Sequence, residues 1–238
     1  MLRAFAHRGG ANEAEENTPQ AFEYALSLGY KRLETDAHLS RDNKVVLHHD
    51  PDLKRTYGIA AKIADLDWAE LSEFRMPNGG RLMRFEEALE RFDQVEFNVD
   101  AKENAVAMPL LRLAKNDLDR VRFVSFSART VKELRQAGAE KTALTMPEVA
   151  RLRLGMPLPK RLLERVDAVQ IPPTYGPIKL ATKTLISRAH DAGLFVDVWT
   201  VSETETILKM IDAGVDGLMT DSPSVLKEVL VQRNIWEG

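Results

Sequence analysis

Eight short runs of β-branched, aromatic and other apolar residues recur along this 238-residue chain, each followed by a stretch with helical periodicity. They lie near residues 3 to 7, 32 to 37, 95 to 102, 121 to 126, 141 to 146, 167 to 171, 195 to 200 and 217 to 220. A strand that is followed by a helix returns parallel to its predecessor, because only a long crossover can carry the chain back to the same end of the sheet. Eight such units predict closure into a (β/α)8 barrel, and the length falls near the roughly 250 residues typical of one. A single domain is therefore expected over residues 1–238. Local signals agree: Asn17-Thr-Pro-Gln20 puts Pro19 at the first position of a helix, where its missing N–H costs nothing.

The alternation is interrupted once. Between the second and third units, Lys44-Val-Val-Leu-His-His-Asp50 reads as an extra short strand, and residues 51 to 83 follow it. Loops between such units usually hold about 2 to 6 residues. Met76-Pro-Asn-Gly-Gly80 within the segment is a loop signal. An insertion at the C-terminal end of a barrel strand overhangs the mouth, so residues 51–83 are expected to form a lid or substrate-side cap.

Composition narrows the chemistry. The chain has no cysteine, which removes disulfides, thiolate catalysis and sulfur-ligated zinc together, and leaves any metal to oxygen or imidazole. Charged residues make up 29% but nearly cancel, at a net of -3, so no nucleic-acid footprint is expected. The N-terminus reaches an arginine at position 3 and lacks the apolar core of a secretion signal, and no apolar window is long enough to span a membrane. A cytoplasmic location is the expectation. Walker, dinucleotide-binding, Gly-x-Ser-x-Gly and His-Glu-x-x-His motifs are absent.

Polar residues gather instead at strand ends. In Leu33-Glu34-Thr35-Asp36 the two acids are two steps apart and share a face, and on the next barrel strand Asn98, Asp100 and Lys102 do the same. If those faces look into the barrel, Glu34, Asp36 and Asp100 repel one another unless a cation joins them, and an all-oxygen set suits one hard divalent ion, Mg²⁺ or Ca²⁺. Surface salt bridges are the plainer reading of the same acids. His7 ends the first strand run and His49 ends the extra one, which makes an acid and base pair plausible beside two ordinary structural histidines. Arg8 and Lys102 stand where they would neutralise a bound anion, or simply pair with the acids. Trp199, on the face of Asp197, is either a pocket wall or a core residue. Gly9-Gly10 is too short to cradle a phosphate by itself.

Taken in order, Ala6-His7-Arg8-Gly9, Glu16-Asn17-Thr18, Glu34-Thr35-Asp36, His49-Asp50 with Arg55-Thr56, Asn98-Val99-Asp100-Ala101-Lys102, Val198-Trp199-Thr200-Val201, and Gly214-Val-Asp-Gly217 with Thr220-Asp-Ser-Pro223 resemble the glycerophosphodiester phosphodiesterase family. The resemblance runs from His7 to Pro223. It implies a (β/α)8 barrel with an insertion after the His-Asp pair, and hydrolysis of a small-molecule glycerophosphodiester to glycerol 3-phosphate and an alcohol. Carried over residue by residue, it implies His7 and His49 as the catalytic pair, Arg8 as the phosphate-contacting arginine, Glu34 and Asp36 as metal ligands, Lys102 as a lysine near the phosphate, and Glu16 as a support beside the site. One position departs: the family has glutamate where this chain has Asp100, so the third ligand is shorter. Two other readings remain beside it, a lysophospholipase D-like enzyme on the same barrel and a catalytically silent phosphoester-binding barrel.

Overall fold

The computed structural model describes residues 2–237. Twelve strands follow in chain order: β1 (Arg3–His7), β2 (Arg32–Leu39), β3 (Val45–Leu47), β4 (Met83–Arg84), β5 (Glu96–Ala101), β6 (Val121–Val124), β7 (Lys141–Thr142), β8 (Ala168–Ile171), β9 (Thr174–Tyr175), β10 (Ile178–Lys179), β11 (Phe195–Val198) and β12 (Gly217–Thr220). Eight of these form a parallel barrel with neighbours in the order β7-β6-β5-β2-β1-β12-β11-β8. Its two ends meet at a parallel bridge between Ala143 and Ala168, where the Leu144 amide donates to the Ala168 carbonyl at 2.9 Å. The architecture expected from the alternation is present, and each of the eight apolar runs contains a barrel strand.

The strands differ from expectation mainly at their ends. The fifth run stops at Thr142 rather than 146, because Thr145 and Glu148 form a reciprocal capping box that starts the helix Met146–Arg153. Helix α1 (Pro19–Ser27) begins as the sequence predicts, with the Thr18 hydroxyl accepting from the Ala21 amide at 3.2 Å and Pro19 in its first turn. Its Phe22 packs edge-on against Phe92 and tilted against Phe97, while Phe85 meets Phe97 from another side. The apolar core thus lies between the strands' outer faces and the helices.

Layers of polar side chains recur through the barrel interior, beside Phe5 and Met219. Near the N-terminal ends of the strands, Arg122 donates to both oxygens of Asp167 and to Asp197 Oδ2 at 2.7 to 2.9 Å. Above this layer Gln170 donates to Asn98 Oδ1 at 2.7 Å. In that layer register sets Glu34 beside Asn98, and above it Asp36 directly beside Asp100. Strand alternation therefore delivers three acids to the interior near the C-terminal end, Glu34 one layer below Asp36 and Asp100.

The insertion follows β2, as expected. β3 pairs antiparallel with the overhang of β2, from Ala37 beside Leu47 to Leu39 beside Val45, and β4 pairs with β3. The rest, including helices α2 (Lys54–Tyr57) and α3 (Trp68–Leu71), gathers on a second small core of Val46, Leu53, Ile63, Leu71 and Leu82. None of residues 51–83 lines the central cleft. Their apolar side chains pack on one another and on β3, on one side of the mouth.

Candidate active site

A cleft of about 170 Å³, open to solvent, occupies the C-terminal end of the barrel. Its floor and one wall come from His7, Arg8, Glu34, Asp36, His49, Asp100 and Lys102, and its other wall from Val124, Phe126, Leu144, Met146 and Trp199. Eight of the nine site residues expected from the sequence meet here. The ninth, Glu16, stands behind Arg8, whose Nη1 donates to its Oε1 at 3.2 Å.

The two histidines are held alike. His7 Nδ1 donates to Asp221 Oδ1 at 2.6 Å, and His49 Nδ1 donates to Asp50 Oδ1 at 2.7 Å. A carboxylate only accepts, so each ring carries its proton on Nδ1 and keeps Nε2 for other work. His7 Nε2 lies 3.5 Å from Glu34 Oε2. Burial alone would lower the His7 pKa, but Glu34 and Asp221 outweigh it and the net shift is upward. After His7 the chain turns sharply: Arg8 adopts φ 53°, and a Cβ on Gly9, at φ 82°, would stand 2.8 Å from that of Ala21. Gly9 is thus needed for the turn against α1 rather than for a phosphate cradle.

His49 is braced from behind by His38, whose Nε2 donates to the His49 carbonyl at 3.1 Å while its Nδ1 donates to Glu103 at 2.6 Å. The adjacent His48 goes elsewhere. It is fully buried, bonded to the Asp50 carbonyl and to Thr56 Oγ1, and its pKa is lowered by burial.

The acids at the floor are all buried. Lys102 Nζ bridges Asp36 Oδ1 at 2.8 Å and Asp100 Oδ2 at 2.9 Å, and Asp36 Oδ2 accepts from Asn17 Nδ2 at 3.0 Å with Arg8 Nε 3.3 Å away. Burial pushes Asp36 up, yet Lys102 and Arg8 together hold it below its ordinary value. Glu34 has only weaker positive neighbours, His7 and Arg8. Burial, with Asp36 and Asp100 nearby, pushes it up to about 7 even though His7 opposes the shift. Arg8 and Lys102, expected to neutralise an anion or to pair with acids, here do the second while still facing the cleft.

Whether these residues suit a metal turns on two observations. Among the described residues no three acids or imidazoles stand together as a ready cage, and the ammonium of Lys102 occupies the bridge between Asp36 and Asp100. Yet Asp100 Oδ1 is buried without any hydrogen-bond partner, and the buried Glu34 carboxylate meets only the His7 ring at 3.5 Å and the Arg8 amide at 3.2 Å. The second pair decides the fit: a buried oxygen-only set with one orphaned oxygen suits a hard divalent cation.

Three residues that the sequence offered only as members of the matching motifs, with no role assigned, also bear on the site. Asp221, immediately after β12, is one more acid at a strand end, the signal that had marked the others. Asp50 and Arg55 carry no such mark. Arg55 donates from Nε to Asp50 Oδ2 at 2.6 Å and from both Nη atoms to the two Glu16 oxygens at 2.7 and 2.8 Å.

The model of the glycerophosphoryl diester phosphodiesterase family matches residues 7–225, which spans every residue of this cleft. The chain belongs to that family. Among its relatives is the protein of Mycobacterium tuberculosis named probable glycerophosphodiester phosphodiesterase 2, 29% identical over 99% of this chain and 93% of its own. A lysophospholipase D of Rattus norvegicus is 27% identical over 97% of this chain and 86% of its own. The crystal structure of the Thermotoga maritima glycerophosphodiester phosphodiesterase superposes with a TM-score of 0.78 at 27% identity, covering 98% of each chain. The family's barrel is this barrel. No helix among the described residues is long and apolar enough to cross a membrane.

Proposed function

We propose that this family member hydrolyses glycerophosphodiesters to glycerol 3-phosphate and an alcohol, with His7 and His49 as a general acid and base pair. One observation carries the reading: two imidazoles, each fixed by a carboxylate on Nδ1, offer Nε2 to the same cleft. Proton transfer at phosphorus needs a donor on one side and an acceptor on the other, and positioned histidines contribute roughly 100- to 10,000-fold to such steps. Asp221 and Asp50 keep the tautomers right and stabilise each imidazolium as it forms. Arg8 and Lys102 bind and orient the phosphate oxygens, with Glu16 holding the Arg8 guanidinium. Residues Glu34, Asp36 and Asp100 would hold one divalent cation, Mg²⁺ or Ca²⁺, which when bound supplies positive charge to the phosphate and its attacking hydroxyl. A silent phosphoester-binding barrel has no use for two carboxylate-backed rings in one cleft.

The opposite wall supports a second reading about the alcohol. Phe126 is 74% exposed and Met146 40% exposed, both at the mouth. The Phe126 ring stands edge-on to Trp199 at 5.6 Å, with Lys102 Nζ 5.9 Å from it. Large apolar side chains left in water beside a cleft mark a contact surface. Trp199, placed in the wall rather than in the core, completes it. An alcohol with an apolar chain, as in a lysophospholipase D reaction, fits this wall better than a small polar head group.

Release of glycerol 3-phosphate from a panel running from glycerophosphocholine to lysophospholipids, with chelator and metal add-back, tests both readings. Turnover of the panel supports the first, and preference for long-chain members that falls in Phe126→Ser supports the second. No phosphate ester release from any diester, at any metal supplement, sinks both.

A further inference from the structure

We infer that Arg55 is a positioning residue, through which the insertion fixes His49 relative to the phosphate-binding Arg8; the inference rests on the roles proposed for those two residues. Arg55 lies in α2, outside the cleft lining, and its side chain is half-exposed. Even so, all three of its guanidinium nitrogens are committed. Two bonds grip both oxygens of Glu16 and a third reaches Asp50 Oδ2. Each of those carboxylates has a second cationic or N–H partner that belongs to the cleft: Glu16 takes Arg8 Nη1, and Asp50 takes His49 Nδ1. The result is an unbroken chain of alternating groups, Asp36, Arg8, Glu16, Arg55, Asp50, His49, running around the mouth.

The chain matters because its two ends come from different pieces of structure. Arg8 follows β1 of the barrel, whereas His49 follows β3 of the insertion. The ladder fixes the two backbones, since β1 pairs with β2 and β2 with β3, but it does not set how the two side chains stand to each other. Arg55 does, since a planar fork that satisfies two carboxylates at once permits one relative placement of them. Burial raises and Arg55 lowers the pKa of both Glu16 and Asp50, and in each the downward pull wins, with Asp50 at about 2, so both partners stay charged at working pH. An error of about 1 Å between groups that must act together can cost about 100-fold in rate.

The test is a double-mutant cycle on the full chain, using Arg55→Met, Asp50→Asn and the pair, with kcat, KM, circular dichroism and thermal midpoint measured for each. Arg55→Met is expected to lower kcat by about 30- to 100-fold with the fold retained. The pair is expected to lose no more than the worse single variant, because both cut the same strap. Arg55→Lys, which keeps the charge and loses the fork, is expected to recover less than a tenth of the parent kcat, and it serves if Arg55→Met does not fold. Multiplying losses in the pair, full recovery in Arg55→Lys, or turnover within about threefold of the parent in Arg55→Met would each overturn the inference. His7→Ala and His49→Ala, run alongside, separate the two levels: if they stay active, the proposed chemistry fails, whereas if they are inactive and Arg55→Met is not, only the strap fails.

Discussion

Replacing Asp221 by asparagine changes one charge and almost no volume, which makes it a clean probe of the His7 arrangement. The carboxylate accepts a 2.6 Å bond from His7 Nδ1, with the ring largely buried. An asparagine either turns its N–H₂ toward an N–H, losing the bond, or forces the ring into the other tautomer with its proton on Nε2. A hydrogen bond to a charged partner contributes about 1.5 to 3 kcal/mol, and each 1.36 kcal/mol is tenfold in rate, so kcat should fall roughly 10- to 150-fold. Steady-state release of glycerol 3-phosphate measures this directly. The pH profile should move as well. Asp221 and Glu34 raise the His7 pKa against burial, so losing Asp221 lowers it, and the limb that reports His7 deprotonation shifts toward acid. Stability follows the same sign. A histidine raised in the folded state contributes fully below its unfolded value of about 6.5 and fades as pH rises through the folded value, so the deficit of the variant is largest at about pH 5 to 6.5 and shrinks above. A folded Asp221→Asn enzyme with turnover within threefold of the parent and an unmoved profile would refute the tautomer argument.

His7→Ala and His49→Ala should each lower turnover by roughly 100- to 10,000-fold while circular dichroism stays that of the barrel. Chelation should abolish activity and Mg²⁺ or Ca²⁺ restore it, whereas full activity in excess EDTA after dialysis would reject the metal. Because Glu34 is raised to about 7 and must lose its proton to bind a cation, metal affinity by calorimetry should weaken as pH falls from about 8 to 6, and Glu34→Gln should flatten that dependence. Asp100→Asn should sharply weaken the metal titration while Asp100→Glu keeps substantial activity; an unchanged titration in Asp100→Asn would remove it from the ligand set.

The barrel was legible because its signal repeats: eight apolar runs at similar spacing over-determine the closure even where one of them, at 141 to 146, is mostly helix cap. The floor of the cleft was legible for a similar reason, since Glu34 with Asp36 and Asn98 with Asp100 follow strand alternation, and register then aligns them. What supports the floor was not. The bond from His7 to Asp221 joins residues 214 positions apart, and Arg55 reaches Glu16 across 39. No periodicity links such pairs; they meet only when the barrel closes and the insertion folds back on β3. The packing of the insertion was not legible either, because length and loop signals say that a segment protrudes, but not that Leu53, Ile63, Leu71 and Leu82 satisfy one another with Val46.

The two walls of the cleft are drawn from separate stretches of chain. His7, Arg8, His49, Asp100 and Lys102 lie before residue 103, while Val124, Phe126, Leu144 and Met146 lie between 124 and 146. On the roles proposed for them, selectivity and chemistry would be separable units of inheritance. A recombination break in the helix between β5 and β6 and another in the helix after β7 would exchange most of the apolar wall with that of a relative and carry across no residue of the acid-base or metal machinery.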